Sequence, residues 1–229
     1  MGIRERRARE IETRRRLVLT TATDLFVRKG FAGVTLDDIA TAIEFSKGTI
    51  YNLFGSKEEI FAAILLEQLD ALLTSLREAA KAGRDSAERL RNVMAAYLRF
   101  YRERREYFRL LFFIDVVSDQ ERVPSALRKE IRLRKIACLY ELKRVVKQGV
   151  RAGDYMNGRP AVEVSLVMWG MMNGIIQLAE SRQIDGEDLE RLLGAGFDIV
   201  QSGLTPKTDS PKRRVRHGLI RKMLPVLKG

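Results

Sequence analysis

The segment Ser46-Lys47-Gly48-Thr49-Ile50-Tyr51-Asn52-Leu53-Phe54-Gly55-Ser56-Lys57-Glu58-Glu59-Ile60 carries two helix starts only ten residues apart. Ser46 and Ser56 each stand where a side-chain oxygen caps first-turn amides, and Glu59 is spaced to complete a capping box with Ser56. The helix between them has room for about two turns, too few to be stable alone in water. It has to be held by its neighbours. Ile50 and Phe54, four residues apart, share the face that can be held. Lys47, Gly48, Thr49, Tyr51 and Asn52 are left on the other side, and the question is what that face meets.

The flanking sequence answers in helices. Glu10 to Lys29 reads as one, with Ile11, Val18, Ala22, Leu25 and Phe26 on a single face and Gly30 at its end. Thr35, with Asp38 three residues on, caps a short helix whose inner side is Leu36, Ile39, Ala40 and Ile43. A turn at Glu44-Phe45 leads to the short helix of the opening segment. Ser56 then starts a long helix to about Ala80, carrying Ile60, Ile64, Leu65, Leu69, Leu72 and Leu76. A long helix, a short one, a tight turn and a second short one is the spacing of a helix-turn-helix, whose second short helix lies in the DNA major groove. In that setting each exposed residue has a physical use. Gly48 lets the helix approach the bases closely. Thr49 offers a hydroxyl and a methyl to a base edge. Asn52 is suited to a base edge or a phosphate, Lys47 and Lys57 to phosphates, and the Tyr51 hydroxyl to a phosphate oxygen. Ser46 and Thr35 head the two short helices, and an anion at the Thr35 end meets free backbone N–H groups.

Beyond residue 80 the reading is again helical, and the fold class expected is all-α. Helices are expected at about 86–102 and 104–117, from Pro124 to about Ala152, from Pro160 to about Ser181, and from Glu187 to Ser202. Residues 205–213, TPKTDSPKR, read as a linker. The rest of the tail holds a basic cluster, Lys212, Arg213, Arg214 and Arg216, followed by Leu219, Ile220, Met223, Leu224 and Leu227. That composition fits a solubilising tail, an extra phosphate contact, or docking on an acidic membrane or partner.

The chain has a formal charge of +12, and both ends are basic: residues 1–29 hold nine Lys/Arg against four Asp/Glu, and residues 206–229 hold eight against one. An anionic polymer or surface is the natural partner. No run of about 18 apolar residues is evident, so no transmembrane segment is expected. The charged N-terminus lacks a signal-peptide core, and a cytoplasmic location is expected. Cys138 is the only cysteine and lies on an apolar face with Leu127, Ile131, Leu142 and Val145, a core position. His217, the only histidine, is in the tail. With no metal-ligand cluster, phosphate loop or nucleophile elbow, no catalytic residue, metal or cofactor is expected.

Residues 35–61, TLDDIATAIEFSKGTIYNLFGSKEEIF, resemble the DNA-binding signature of the TetR family of bacterial transcriptional regulators. A second stretch, VVKQGVRAGDYMNGRPAVEVSLVMWGMMNGII (residues 145–176), resembles the Gly-x-x-x-Gly-aromatic turn and following helix of that family's C-terminal domain. The resemblance implies a DNA-binding domain over residues 1–55, an effector-binding and dimerisation domain over 56–204, and a basic tail over 205–229. It implies a homodimer on double-stranded operator DNA, released by a small-molecule effector. Residues 160–181 are apolar nearly all round, a pattern that serves its own domain on one side and a partner on the other. Gly170 and Gly174 allow close helix approach, and Leu189, Leu193 and Phe197 stripe the next helix. By resemblance these five residues lie in a four-helix dimer interface. The aromatics of residues 97–115 suit either a core or an apolar effector pocket. Phe100, Tyr101, Phe108 and Phe112, with Met168, Trp169 and Met172, are the pocket candidates. The chain departs from the family pattern at several positions. Ile43, Glu44 and Phe45 stand where the family usually has a small residue, Gly and Val, so Glu44 replaces the turn glycine; Leu53 replaces an aromatic or histidine used on phosphate, and Asn52 stands where histidine is frequent. The function expected is a ligand-released repressor, with a ligand-independent architectural DNA binder as the alternative.

Overall fold

The structure, a computed structural model, describes residues 2–116, 124–156 and 158–206, with only the backbone described for residue 3 and residues 111–116. Among the described residues there are nine α-helices and no strand: α1 (Ile3–Lys29), α2 (Leu36–Ala42), α3 (Lys47–Leu53), α4 (Lys57–Ala82), α5 (Ser86–Glu103), α6 (Arg105–Val116), α7 (Ser125–Ala152), α8 (Ala161–Glu180) and α9 (Gly186–Leu204). The all-α class is as expected. The tail beyond residue 206 and the side chain of Phe112 lie outside the described residues.

The largest departure from expectation is α1, which begins at Ile3 rather than near Glu10. Its apolar face becomes buried only from Val18, so periodicity gives no sign of the earlier turns. Local pairs hold them instead. Arg14 donates to Glu10 at 2.8 Å, Arg16 to Glu12 at 3.1 Å, and the Gly2 N–H to Glu5 at 3.1 Å. Pairs of this kind each stabilise a helix by about 0.2–0.5 kcal/mol.

The chain divides into two compact units. One comprises residues 1–84 and 88–142, the other 85–87 and 143–229, so α7 runs from one into the other. The helices of residues 1–55 share their apolar cluster with helices that follow them. Val18, Leu25 and Phe26 of α1, Ile39 of α2 and Ile50 of α3 share one apolar cluster with Ile60, Phe61, Ile64 and Leu65 of α4, Leu110 of α6 and Ile131 of α7. At its centre the rings of Phe26, Phe31 and Phe61 meet pairwise at 5.3, 5.7 and 4.9 Å between centroids. Further along this unit Phe108 receives Tyr97 and Tyr101 edge-on, at 5.7 and 5.1 Å. Cys138 is fully buried with its Sγ 3.8 Å from the Leu69 carbonyl, and burial pushes its thiol up to about 12, so it is protonated and inert at neutral pH.

In the second unit the Gly-x-x-x-Gly-aromatic turn has a geometric cause. Gly153 ends α7 at φ 83°, and the chain turns so that the Asp154 and Tyr155 amides donate to the Gly149 carbonyl at 3.0 and 3.2 Å. The buried Tyr155 ring then lies where a side chain on Gly149 would stand, 2.3 Å from an added Cβ. The Tyr155 hydroxyl reaches the Gln201 side chain of α9 at 3.1 Å.

By length and composition alone α8 could cross a membrane, a test that the core helix of a folded protein also passes. In the single chain one side of it is buried. Val164, Met168, Met172 and Ile176 are buried, whereas Leu166 and Val167 are exposed. α9 packs on it, and Leu189, Leu193 and Phe197 of α9 are all buried in the single chain. These three therefore finish this unit's own core and are not on its free surface. The open α9 side carries Ile199 instead.

One local feature of the fold can be measured directly. Glu44, at the turn between α2 and α3, has φ 55°. A side chain there costs about 1 kcal/mol that glycine avoids. Glu44→Gly is expected to stabilise the protein by about 0.5–1 kcal/mol in urea denaturation.

Candidate nucleic-acid interface

α3 is fixed from both ends and from beneath. The Ser46 hydroxyl accepts from the Thr49 amide at 3.2 Å and pairs with the Thr49 hydroxyl at 2.8 Å. At the other end Phe54 turns to extended backbone, φ −147°, while its N–H still donates to the Ile50 carbonyl at 2.9 Å. Ile50 is wholly buried and Phe54 nearly so. Burial of two such side chains is worth about 1.5–3 kcal/mol each, enough to hold two turns that have no stability of their own. The Arg15 guanidinium of α1 closes the Phe54 side, 4.4 Å above the ring.

The opposite face is open. Lys47, Gly48, Tyr51 and Asn52 are exposed, Tyr51 at 56%, and Thr49 is half-buried against Ser46. Gly48 explains itself by what is missing around it. An added Cβ would meet only the Ser46 hydroxyl, 4.0 Å away, so nothing inside the protein requires a glycine.

Two of the lysines have internal partners. Lys47 is ion-paired with Asp37 of α2, which holds its pKa above the ordinary lysine value. That pair uses one of the three ammonium N–H donors of Lys47. Lys57 is more firmly committed. Its ammonium donates to the Phe31 and Val34 carbonyls at 2.9 and 2.8 Å and lies 4.5 Å above the Phe31 ring. These bonds fix the turn between α1 and α2 against the start of α4. Lys57 thus positions the helix-turn-helix, a role that the sequence did not suggest.

Thr35 is also occupied. Its hydroxyl accepts from the Asp38 amide at 3.1 Å and donates to the Asp38 carboxylate at 2.6 Å, and its own N–H donates to that carboxylate at 2.8 Å. This is a full capping box, and the Thr35 hydroxyl bond, with its amide bond, lowers the Asp38 pKa. The box is therefore present above the ordinary carboxylate pKa of 3.8 and is lost as pH falls through the lower folded value. The Ser56 cap forms differently from the box expected of it. Ser56 accepts from the Glu59 amide at 3.2 Å, but Glu59 reaches past it to the Gly55 N–H at 2.9 Å. Thr35, Asp37, Tyr51, Ser56 and Lys57 line one cleft of about 400 Å³ between the starts of α2 and α4.

The effector candidates divide between the units. Phe100, Tyr101 and Phe108 are buried in the first, and Met168 and Met172 are buried in the second with Trp169 half-buried. Gly170 and Gly174 are exposed on α8, with open space around each.

A two-turn helix pinned by its apolar side, with small and polar residues on its free side, following a capped short helix and a tight turn, defines a DNA-binding helix-turn-helix protein. Residues 18–64 match the family model described as bacterial regulatory proteins, tetR family, and residues 83–177 match the model described as tetracyclin repressor-like, C-terminal domain. The chain belongs to the TetR family of transcriptional regulators. It is 31% identical over 110 residues to the HTH-type transcriptional activator FasR of Mycolicibacterium smegmatis, an alignment covering 48% of this chain and only 50% of that relative. It is 26% identical to the HTH-type transcriptional repressor SCO4008 of Streptomyces coelicolor over 91% of this chain and 97% of that one. The fold is shared with the TetR family transcriptional regulator PfmR from Thermus thermophilus, with a TM-score of 0.68 and 24% identity over 81% of this chain and 97% of that one.

Two substitutions separate reading from scaffolding. Gly48→Ala suits a helix and is expected to stabilise the fold by about 0.4–1 kcal/mol while weakening DNA binding. Lys57→Ala is expected to cost about 2 kcal/mol, because it removes charged hydrogen bonds and strands two carbonyls. Denaturation midpoints and DNA affinities of the two variants, measured side by side, are expected to move in opposite patterns.

Proposed function

We propose that this regulator is a repressor whose dimer holds a two-fold operator and releases it when a small, largely apolar ligand binds. The observation that carries this reading is the undivided core of the first unit. Ile50 and Phe54, which seat α3, belong to the same cluster as Leu110 of α6 and Ile131 of α7. A ligand that repacks α6 or α7 also moves the support of α3, and operator affinity then falls by the ligand's preference between the two packings. Phe100, Tyr101 and Phe108 are the residues we assign to contact it, an aromatic cluster of the kind apolar ligands favour. The repressor sense follows SCO4008, which aligns along nearly its whole length.

On the DNA side, Thr49 and Asn52 read base edges, Gly48 allows the approach, and Tyr51, Lys47 and the amides at the Thr35 and Ser46 helix starts take phosphates. Two-fold operators call for a dimer. Val167, at helical spacing from Gly170 and Gly174 on α8, and Ile199 of α9 are large apolar side chains left 62% and 73% exposed. We assign that face to the partner.

Selection of bound duplexes from genomic DNA tests the reading. An inverted repeat with a defined half-site, and its release by one member of a panel of apolar compounds, is the expected result. Binding that scales with duplex length and shows no preferred site favours the architectural alternative. For the dimer, Gly174→Leu is the informative change, since the single chain has room for the new side chain. It is expected to leave helicity unchanged and to give monomers in sedimentation; an intact dimer places the interface elsewhere.

A further inference from the structure

We infer that the N-terminal part of α1 is a second DNA-contacting element, a basic ridge that grips phosphates beside the groove entered by α3. This rests on the helix-turn-helix reading above and adds residues outside it. From Val18 onward α1 turns Val18, Ala22, Leu25 and Phe26 into the core. Followed toward the N-terminus at the same helical spacing, that stripe becomes Arg15, Ile11, Arg7 and Arg4. Arg15 is the hinge between the two parts, because it stacks on Phe54 at the end of α3. Beyond it the stripe has run past the core and is exposed, as is Ile11. The side of α1 that faces α3 thus continues as a line of cations that is exposed among the described residues.

The charge arrangement makes little sense for a merely solvated helix. Arg4, Arg6 and Arg7 occupy the first turns of α1, where the helix dipole disfavours positive charge. Arg4 and Arg7 are like charges three residues apart, which also costs helix stability. The acidic residues of this part of α1 are off the stripe and engaged elsewhere: Glu5 with the Gly2 N–H, Glu10 with Arg14 and Glu12 with Arg16; Glu67 of α4 lies near Arg15 and Arg16, at the core end of the stripe. Among the described residues Arg4, Arg6, Arg7 and Arg9 have no carboxylate partner. A sequence that places unpaired arginines where its own helix resists them is matched to an external anion. Continuity with the α3 face identifies that anion as DNA. At about 1.5 Å per residue, Arg4 lies roughly 16 Å beyond Arg15, more than the about 12 Å width of the major groove. The ridge therefore reaches the backbone flanking the half-site.

The test uses the full-length protein and a duplex recovered by selection from a randomised pool, long at both flanks. Arg4→Ala with Arg7→Ala is compared with Arg6→Ala with Arg9→Ala, which removes the same charge from the other side of the helix. All four residues are exposed, so dimer and helicity serve as checks of the fold. The first pair is expected to reduce the salt slope of binding by about 0.9 per lost contact, about 3–4 for a dimer, and to weaken binding about tenfold or more at moderate salt. The second pair is expected to change the slope by less than about 1. Trimming the flanks is expected to weaken the wild type and leave the first variant unaffected. Equal effects of the two pairs, or no effect of either, overturn the inference. So does loss of binding to phosphatidylglycerol vesicles with an unchanged duplex slope, which assigns the ridge to a membrane. A wild-type chain that selects no duplex overturns the DNA-reading function itself, an outcome distinct from a wild type that binds and a ridge variant that binds equally well.

Discussion

Burial of Ile50 and Phe54 is the constraint on which the DNA-binding surface depends. A seven-residue helix has no intrinsic stability, so α3 exists where the rest of the unit puts it. Two apolar side chains on one face give it an orientation as well as an anchor, because Ile50 enters the cluster of α1, α2 and α4 while Phe54 is covered by Arg15. Everything on the other face is thereby presented as a set. The small size of Gly48 and the exposure of Tyr51 and Asn52 mean something only because the helix beneath them cannot roll.

That anchorage extends well beyond the helix-turn-helix. Lys57 stitches the turn after α1 to the first turn of α4 through two carbonyls and the Phe31 ring. Phe31 in turn packs on Phe26 and Phe61. The same cluster takes in Leu110 and Ile131, whose helices lie far along the chain. Packed cores tend to switch between discrete arrangements and do not deform smoothly, and the proposed release by a ligand rests on that property.

The parts legible in the sequence were those with a local cause. Capping residues marked the starts of α2, α3 and α4, and apolar spacing marked Ile50, Phe54 and the inner faces of α1 and α4. What was missed has non-local or weak causes. The first turns of α1 are stabilised by charge pairs that carry no apolar period. Lys57 looks like any exposed lysine until the carbonyls 26 and 23 residues away are brought to it. Leu189, Leu193 and Phe197 carry the pattern of a stripe, and a stripe does not say whether its own chain or a second one covers it. α8 shows the same ambiguity in sharper form, since its composition alone suits a membrane, a core or an interface.

Charge in this protein has to be sorted by what each cation already touches. A net +12 says only that an anion is welcome. Lys57 is spent on backbone carbonyls and Arg15 on an aromatic ring, so both shape the protein. Lys47 is held by an exposed Asp37, a pair worth little in water and readily exchanged for a phosphate. Among the described residues Arg4 and Arg7 have no such partner, and they sit where their own helix dipole opposes them. The order is physically sensible: cations near the core are fixed and define the surface, the cation at the recognition helix is exchangeable, and those farthest from the core are unpaired among the described residues. Affinity that depends on the last group is the most sensitive to salt, because each released counterion belongs to a contact that the folded chain does not make for itself.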